Sequence, residues 1–246
     1  MIGLGTIINI GAILVGTTIG MIIKGGLARR YETIVMHSIG LSVIFIGITG
    51  VISEMLVIEN GDISTRYTLL VVISLMVGSL IGEKINIEEK LEKFGESCKR
   101  KFKFQGLNGN DFIEGFVTSS LLFCVGAMAI VGSLNDGLNH DYSTLVAKSL
   151  MDMVASIFFA ASLGVGVYFS VIAVGVYQGS ITVLATLISP YLNDTIIGQI
   201  SCIGSVLIFA LGLNLIFGKK MKIGNMLPSV VIPVFIYGFK AITSLW

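Results

Sequence analysis

Long apolar stretches alternate with short polar breaks along the whole chain. A helix needs about 20 predominantly apolar residues to cross the hydrocarbon core of a bilayer. Eight stretches reach or approach this length, and each is predicted to be a membrane-spanning helix: residues 2–23, 33–57, 67–82, 112–133, 144–163, 167–188, 195–217 and 226–246. The pattern predicts an all-α fold, a polytopic helix bundle in which residues 1–246 form a single integral-membrane domain.

Two boundaries need a local interpretation. Spans five and six are joined by "LGVGVYF", so Gly164 and Gly166 indicate a tight turn or a re-entrant segment. In the last span, Asn225 is a plausible N-cap with Pro228 in the first turn. Pro233 then lies inside the span, where it removes a backbone hydrogen bond and predicts a kink.

Composition and charge support this picture. The chain is 54% hydrophobic and 13% charged, about half the charge density of a soluble domain. In an eight-span arrangement, 13 of the 16 lysines and arginines fall in loops on one side, within residues 24–30, 84–103 and 219–222. The positive-inside rule makes this side cytoplasmic. The chain is therefore predicted to be a multi-pass protein of the inner (plasma) membrane with both termini outside.

The longest polar segment, residues 83–110, is predicted to be an amphipathic and basic cytoplasmic loop. Ile87, Leu91, Phe94 and Cys98 fall on one helical stripe, and a run of basic residues follows. The segment is either a helix on the anionic inner leaflet or a solvated connector with ordinary inside-positive charge. The connector is the simpler interpretation.

A weak internal repeat relates spans one to three to spans six to eight. An offset of 164 residues aligns Gly40 with Gly204 and Phe45 with Phe209. Five spans separate each pair, so the copies would insert in opposite directions. Inverted repeats of this kind occur in many transporters, whose sites lie near the bilayer midplane where the repeats meet.

Glycines spaced four apart predict close helix contacts in lipid. Three such pairs are Gly16 with Gly20, Gly78 with Gly82 and Gly175 with Gly179. A homo-oligomer interface through the glycine-rich helix faces and an internal contact would give the same pattern.

Polar residues within the spans are the candidate substrate- or ion-binding residues, because polar side chains in a bilayer need partners or water. They are Asn9, Lys148, Asp152, Ser156 and Gln178. Lys148 and Asp152 are four residues apart and share a helix face. Lys148 is close enough to the end of its span to snorkel, whereas Asp152 is deeper and must pair, protonate or face water. The pair either fixes helix register or forms a cation or proton site.

Other chemistry is not indicated. The sequence contains no H-E-x-x-H, G-x-S-x-G or P-loop motif, and the cysteine spacing does not suggest a metal site. An enzyme, a cofactor, a bound metal and a nucleic-acid partner are therefore not expected. The predicted partners are the lipid bilayer and a small ion or solute.

Five segments resemble a family of bacterial inner-membrane proteins catalogued as domain of unknown function 554. They are "GTIINIGAILVGTTIG", "FCVGAMAIVGSLNDGL", "KSLMDMVASIFFAASLG", "VYQGS" and "KIGNMLP", in order along nearly the whole chain. Family descriptions suggest a sodium channel or pump and a link to biofilm behaviour. The resemblance implies a plasma-membrane protein that transports something small, and it assigns no role to Asp152.

Three functions are compatible with the sequence. The first is a transporter or channel for a small cation, Na⁺ or H⁺, with oxygens from Asp152, Asn9 and Gln178. The second is a transporter of a small anion or organic metabolite, with Lys148 as a ligand. The third is a non-transporting scaffold or sensor that acts through its cytoplasmic loop.

Overall fold

A computed structural model of the chain describes residues 2–24, 29–59, 62–101, 109–124, 126–189, 192–218 and 220–243. Helices dominate these residues, which confirms the predicted all-α membrane bundle. In chain order the elements are α1 Leu4–Lys24, α2 Arg29–Met55, β1 Leu56–Glu59, β2 Asp62–Thr65, α3 Thr68–Ile85, α4 Ile87–Lys101, α5 Gly109–Cys124, α6 Ala127–Asn139, α7 Ser143–Leu163, α8 Gly166–Val183, α9 Ala185–Ile188, α10 Asp194–Phe217, α11 Ile223–Met226, a 3₁₀ helix Leu227–Val231, and α12 Ile232–Thr243.

Six of the described helices are long and apolar enough to cross a membrane: α1, α2, α3, α7, α8 and α10. They match predicted spans one, two, three, five, six and seven. Predicted span four consists of two helices, α5 and α6, bent by 60° at a break. Predicted span eight contains only a shorter apolar helical segment, Ile223–Tyr237, within the described residues. The count of eight therefore stays a prediction.

The chain divides into two compact units, which are described separately. Unit 1 comprises Met1–Ile39 and Glu89–Leu187, and unit 2 comprises Gly40–Glu88 and Ile188–Trp246. The prediction of one domain over residues 1–246 is not tested by this division.

Helix α1 is central to unit 1 and runs parallel to α7. Gly5 lies against Leu145 near the start of both helices, and Gly20 lies against Ile157 near their ends. Helix α8 runs the other way along α1, because Asn9 contacts Gln178 while Thr18 contacts Tyr168. These directions agree with an alternating path in which spans one and five cross the same way and span six returns.

The bent pair α5–α6 advances along the whole of α8. Phe112, near the start of α5, packs its ring edgewise on Phe169 at 5.0 Å between centroids. Gly137, near the end of α6, lies against Thr182 at the other end of α8. A re-entrant loop would return to its starting end, so the pair has the geometry of one broken span.

The connection between α7 and α8 is a tight turn, one of the two alternatives predicted from the sequence. Helix α7 ends at Leu163, and Gly164 adopts a φ of 80°, a conformation that glycine accepts without steric cost. The Nζ of Lys24 donates to the carbonyl of Ser162 at 2.9 Å, so the cation at the end of α1 also caps α7.

In unit 2, close antiparallel contacts are built on glycine. Gly47 of α2 lies against the backbone of Phe209 in α10, and Gly50 lies against Ser205. Gly78 and Gly82 of α3 lie against Ser229 and Asn225 respectively. The predicted helix-packing role is confirmed for Gly78 and Gly82.

The two glycine pairs predicted in unit 1 differ in their contacts. Gly16 and Gly20 both face the backbone of α7, which confirms their predicted role. Gly175 meets only the side-chain end of Ile10, and the space around Gly179 is open. Gly179 therefore makes no close internal contact among the described residues, and the alternative, a homo-oligomer interface, stays a prediction.

The loop between α2 and α3 contains an antiparallel β-hairpin, which was not predicted. Leu56 pairs with Thr65 and Glu59 with Asp62. The sequence "LVIENGDIST" carried the signal, since Asn-Gly between two β-prone runs is typical of a two-residue hairpin turn.

The described contacts between spans related by the proposed repeat are antiparallel. Helices α1 and α8 meet in unit 1, while α2 with α10, and α3 with the segment after Ile223, meet in unit 2. This arrangement is what opposite insertion requires. The repeat itself stays a prediction.

Part of segment 83–110 forms a helix, α4. Leu91 packs against the cluster formed by Phe112, Phe116 and Phe169 in unit 1. Residues 102–108, and the side chains of Phe94 and Cys98, lie outside the described part of the chain. Contact of α4 with the inner leaflet stays a prediction.

The C-terminal segment differs from the prediction. Asn225 lies inside the short helix α11, and its Oδ1 accepts the N–H of Glu88 in the first turn of α4 instead of capping its own helix. Pro228 is the second residue of the 3₁₀ helix, and Pro233 is the second residue of α12. The kink predicted at Pro233 is therefore replaced by a change of helix type just before this proline. Pro233 can occupy the first turn of α12 because that turn does not use its backbone nitrogen in a hydrogen bond.

Candidate functional site: a buried polar cluster in unit 1

Helix α1 buries mostly polar and small residues and exposes most of its aliphatic ones. The buried residues are Gly5, Thr6, Asn9, Ile13, Gly16, Thr17 and Gly20. The exposed face includes Ile7, Val15 and Ile22, the last of them 73% exposed. This distribution is the reverse of that in a water-soluble bundle and is typical of a helix whose outer face meets lipid.

The buried face of α1 brings its amide to residues of two other helices. Asn9 Nδ2 donates to Asp152 Oδ2 in α7 at 3.0 Å and to Gln178 Oε1 in α8 at 3.2 Å. Asn9 and Gln178 are fully buried, and Asp152 is only 6% exposed. Three side chains that are far apart in sequence therefore meet in one hydrogen-bonded cluster.

Lys148 completes this cluster through an ion pair with Asp152 Oδ2. Lys148 is 6% exposed, and its side chain turns along α7 towards the carboxylate. The expectation that Lys148 could snorkel was wrong, because a carboxylate one helical turn away gives the ammonium a partner without extension to the interface. The group Asn9, Lys148, Asp152 and Gln178 is hereafter the Asp152 cluster.

Ser156 was predicted with this group but lies farther along the α1–α7 contact. Its hydroxyl donates to the carbonyl of Met153 at 2.8 Å and lies against Gly16. The structure thus brings together four of the five predicted site residues and places Ser156 beside them on the same helix.

Many buried polar atoms in unit 1 have no hydrogen-bond partner within the described protein. They are Thr6 Oγ1, Asn9 Oδ1, Thr17 Oγ1, Ser120 Oγ, Ser133 Oγ, Asp136 Oδ1, Ser162 Oγ, Gln178 Nε2 and Thr182 Oγ1. Buried polar groups are nearly always paired with protein, water or an ion. Two of these atoms, on Asn9 and Gln178, belong to the Asp152 cluster, so the cluster retains both an acceptor and a donor for a ligand.

The break between α5 and α6 lies close to this cluster. Helix α5 ends at Cys124, whose thiol is within electrostatic range of Lys148 and Asp152. Gly126 then adopts a φ of 136°, and α6 begins at Ala127. A broken helix leaves backbone carbonyls and amides without helical partners, and these are tolerated at membrane depth only beside protein or a wet cavity.

Sequence reasoning missed a second buried carboxylate, Asp136. It follows predicted span four (residues 112–133) in the sequence, yet it is fully buried in the last turn of α6. Its Oδ2 accepts a hydrogen bond from the backbone N–H of Gly5 at 3.1 Å. The motif "NDG" near the end of an apolar span was the available signal, since a turn residue and a buried acid look alike there.

Unit 2 contains a separate polar cluster around Asn225. Its Oδ1 accepts from the backbone N–H of Glu88 at 2.7 Å, and its Nδ2 donates to Glu83 at 2.6 Å. Glu83 also accepts from Lys222 at 2.8 Å, and Glu88 accepts from Gly224 at 2.8 Å. All of the carboxylates here are paired, so this cluster ties α3 and α4 to the C-terminal segment.

A metal centre is not visible in what is described of the chain: no three histidine, cysteine, aspartate or glutamate side chains there are grouped to hold an ion. Any ligand of the Asp152 cluster would therefore meet one carboxylate, two amides and one ammonium.

Comparison with known proteins places the chain in a family. The family model "Protein of unknown function (DUF554)" matches residues 4–238, and the chain belongs to this family. It is 32% identical over 229 residues to the uncharacterised membrane protein YdfK of Bacillus subtilis, covering 93% of each chain. It is 28% identical over 231 residues to the uncharacterised protein YqgA of Escherichia coli, covering 93% of this chain and 94% of the other. No solved structure matches.

These matches agree with the helices described above. A curated relative is a membrane protein, and the chain has several helices able to cross a bilayer. The chain is therefore a multi-pass membrane protein.

Proposed function

We propose that this protein transports a small cation, Na⁺ or H⁺, through unit 1, with Asp152 as the binding carboxylate. The observation that carries the proposal is the Asp152 cluster: a carboxylate and two amides, all buried among three helices, with Asn9 Oδ1 unpartnered. Intramembrane ionisable groups are costly, and they commonly mark ion pathways.

In this mechanism Lys148 is the counter-charge that a cation replaces. The pair with Asp152 keeps the cluster close to neutral when no cation is bound. A Na⁺ or H⁺ at Asp152 neutralises the carboxylate and releases the ammonium, whose long stem can then turn towards the start of α7. Exchange between two partners of one carboxylate lets the site bind the cation and later release it.

Buried polar atoms in unit 1 supply a path for the cation. Unpartnered polar atoms occur along α1 at Thr6, Asn9 and Thr17, and a further one, on Ser162, lies at the end of α7 where Lys24 of α1 binds the Ser162 carbonyl. Such atoms do not stabilise a helix bundle in lipid unless water or ions reach them. The broken span beside the cluster resembles the discontinuous helices that border transport sites.

The experiment is cation flux into proteoliposomes that contain the purified protein. ²²Na⁺ uptake and internal pH are followed with and without an imposed pH gradient. The variants are Asp152→Asn and the double variant Lys148→Met/Asp152→Asn, with Asp62→Asn on the exposed hairpin as the matched control. Asp152→Asn alone leaves a buried ammonium unpaired, which costs about 3–5 kcal/mol, so the double variant keeps the test valid if the single one unfolds.

The expected result is flux in the wild type and in Asp62→Asn, and loss of flux in both cluster variants. Dependence on the pH gradient identifies exchange with H⁺. Absence of flux from folded wild type under every gradient overturns the proposal, as does undiminished flux in the folded double variant.

A second candidate is transport of a small anion or organic solute. The observation that favours it is Gln178 Nε2, a buried donor of the Asp152 cluster that has no hydrogen-bond partner among the described residues. Uptake of such a solute that is lost in Lys148→Met, in a protein that moves neither Na⁺ nor H⁺, would select this candidate.

We also propose the plasma membrane as location, with both termini outside. The segregation of basic residues supports this orientation. Alkaline phosphatase fused after Trp246 is expected to be active, whereas a fusion within residues 102–108 is expected to be inactive.

A further inference from the structure

Asp136 lies at the end of unit 1 where α1 begins, and it is only partly satisfied. One carboxylate oxygen, Oδ2, accepts the N–H of Gly5, one of the free amides in the first turn of α1. The other oxygen, Oδ1, is fully buried and has no partner within the described protein. No basic side chain of the described residues forms an ion pair with Asp136, in contrast to Asp152.

Three further unpartnered oxygens belong to residues beside Asp136. Thr6 follows Gly5, whose amide binds the carboxylate. Ser133 precedes Asp136 by one turn on the same face of α6. Thr182 is the residue of α8 that lies against Gly137. The hydroxyls of all three are buried and lack a hydrogen-bond partner in the described protein.

The local backbone favours a cation at this place. Helices α6 and α8 both end here, at Asn139 and Val183, and helix C-termini carry partial negative charge. Helices α1 and α7 begin here, and helix N-termini carry partial positive charge. Two carboxylates offset this charge: Asp136 accepts the N–H of Gly5 in α1, and Asp141 accepts the N–H of Ser143 at the start of α7 at 2.9 Å. Carboxylate and hydroxyl oxygens beside helix C-termini are suitable ligands for Na⁺.

The charge of the group limits the ligand to one class. A single carboxylate is neutralised by one monovalent cation, whereas a divalent ion would leave a net positive charge buried in an apolar surrounding. We infer that Asp136, with Thr6, Ser133 and Thr182, forms a second monovalent-cation site, hereafter the Asp136 site. Gly5 and Asn9 are four residues apart on α1, so the Asp136 site lies about 6 Å along the helix from the Asp152 cluster.

The role of this site in transport rests on the proposed function. A cation that enters from the end where α1 begins would meet Asp136 first and Asp152 one turn deeper. Binding at Asp136 does not depend on transport and can be measured separately. The competing explanation is that Asp136 only caps α1.

The test is direct binding of ²²Na⁺ to the purified full-length protein in nanodiscs, with choline as the background cation. The variants are Asp136→Asn, Lys148→Met/Asp152→Asn, and Asp141→Asn as a nearby exposed carboxylate. Asp136→Asn keeps an oxygen that can accept the Gly5 N–H, so a mere cap would survive it. The wild type and Asp141→Asn are expected to bind two Na⁺ per chain, and each of the other variants one.

A second variant guards against misfolding. Thr6→Val removes a hydroxyl that has no protein partner while keeping the shape of the side chain. It is expected to weaken one of the two Na⁺ sites about tenfold, the value of one good polar contact, without lowering the melting temperature. Unchanged Na⁺ binding in Thr6→Val and in folded Asp136→Asn overturns the Asp136 site, as does absence of Na⁺ binding to the wild type.

The outcomes separate the two proposals. If the wild type shows no flux and Asp136→Asn binds one Na⁺ fewer than the wild type, the Asp136 site is supported and the transport proposal is overturned. If flux depends on Asp152 and Asp136→Asn binds as many Na⁺ as the wild type, the transport proposal is supported and the Asp136 site is overturned.

Discussion

The α1–α7 contact makes a quantitative prediction about three glycines of one helix. A Cβ added at Gly20 would lie 2.8 Å from the Cβ of Ala160 and closer still to the carbonyl oxygen of Ile157. A Cβ added at Gly16 would meet the carbonyl of Met153 in the same way. Gly11, on the exposed face of α1, has nothing within 4 Å of such a Cβ.

The magnitude follows from two opposing effects. Replacement of glycine by alanine within a helix raises helix propensity by about 1 kcal/mol, and this gain is common to all three positions. Overpacking against atoms that cannot move away costs about 1–3 kcal/mol. Backbone carbonyls of α7 are such atoms, so Gly16→Ala and Gly20→Ala should each be about 1–3 kcal/mol less stable than Gly11→Ala.

The assay is thermal unfolding of the three purified variants in one detergent, followed by intrinsic fluorescence. For a chain of this size about 1 kcal/mol corresponds to roughly 2–4 °C in melting temperature, so the expected separation is about 2–12 °C. Gly11→Ala should melt at or above the wild type. Equal melting temperatures for all three variants would refute the close approach of α1 and α7.

Two further predictions concern stability outside the Asp152 cluster. Asn225→Ala removes the acceptor of the buried N–H of Glu88 and should destabilise the protein by about 2–4 kcal/mol in chemical unfolding. The control is Asn193→Ala, which removes only the N-cap of α10 and should cost about 1 kcal/mol. Equal effects of the two substitutions would contradict the buried role of Asn225. The hydrogen bond from the backbone N–H of Ser143 lowers the pKa of Asp141, so its carboxylate stabilises the fold above the ordinary aspartate pKa, and this contribution is lost as pH falls through the lowered value. The melting temperature of Asp141→Asn should therefore lie slightly below that of the wild type at pH 7 and converge with it in acid, and a constant difference across the titration would contradict this.

Much of the fold could be predicted because the length of an apolar run is a local property. Six predicted spans correspond to helices long enough to cross a bilayer. The buried stripe of α1 could also be predicted, since Asn9, Gly16 and Gly20 share one face of any helix. Both predictions depend only on residue spacing within one segment.

The incorrect or missing predictions concern residues whose contacts are far away in the sequence. The burial of Asp136 requires Gly5, which is 131 residues distant, and no local pattern contains that contact. Lys148 was expected to reach the interface because its depth was read from its own helix, without the packing that surrounds it. The break at Gly126 gave no signal, because an isolated glycine within an apolar run also occurs in unbroken membrane helices.

The Asp152 cluster is difficult to explain as a device for stability alone. A buried ion pair is often no more stable than apolar residues of the same volume, and replacement of both partners is neutral or stabilising in several proteins. A structural pair would also have its neighbours satisfied, yet Asn9 Oδ1 and Gln178 Nε2 are buried beside it with no hydrogen-bond partner in the described part of the chain. Each such atom costs about 1–3 kcal/mol if it stays dry. A cation or water that reaches the cluster removes this cost, and it also gives the unpartnered oxygen of Asp136, one helical turn away, the same kind of ligand.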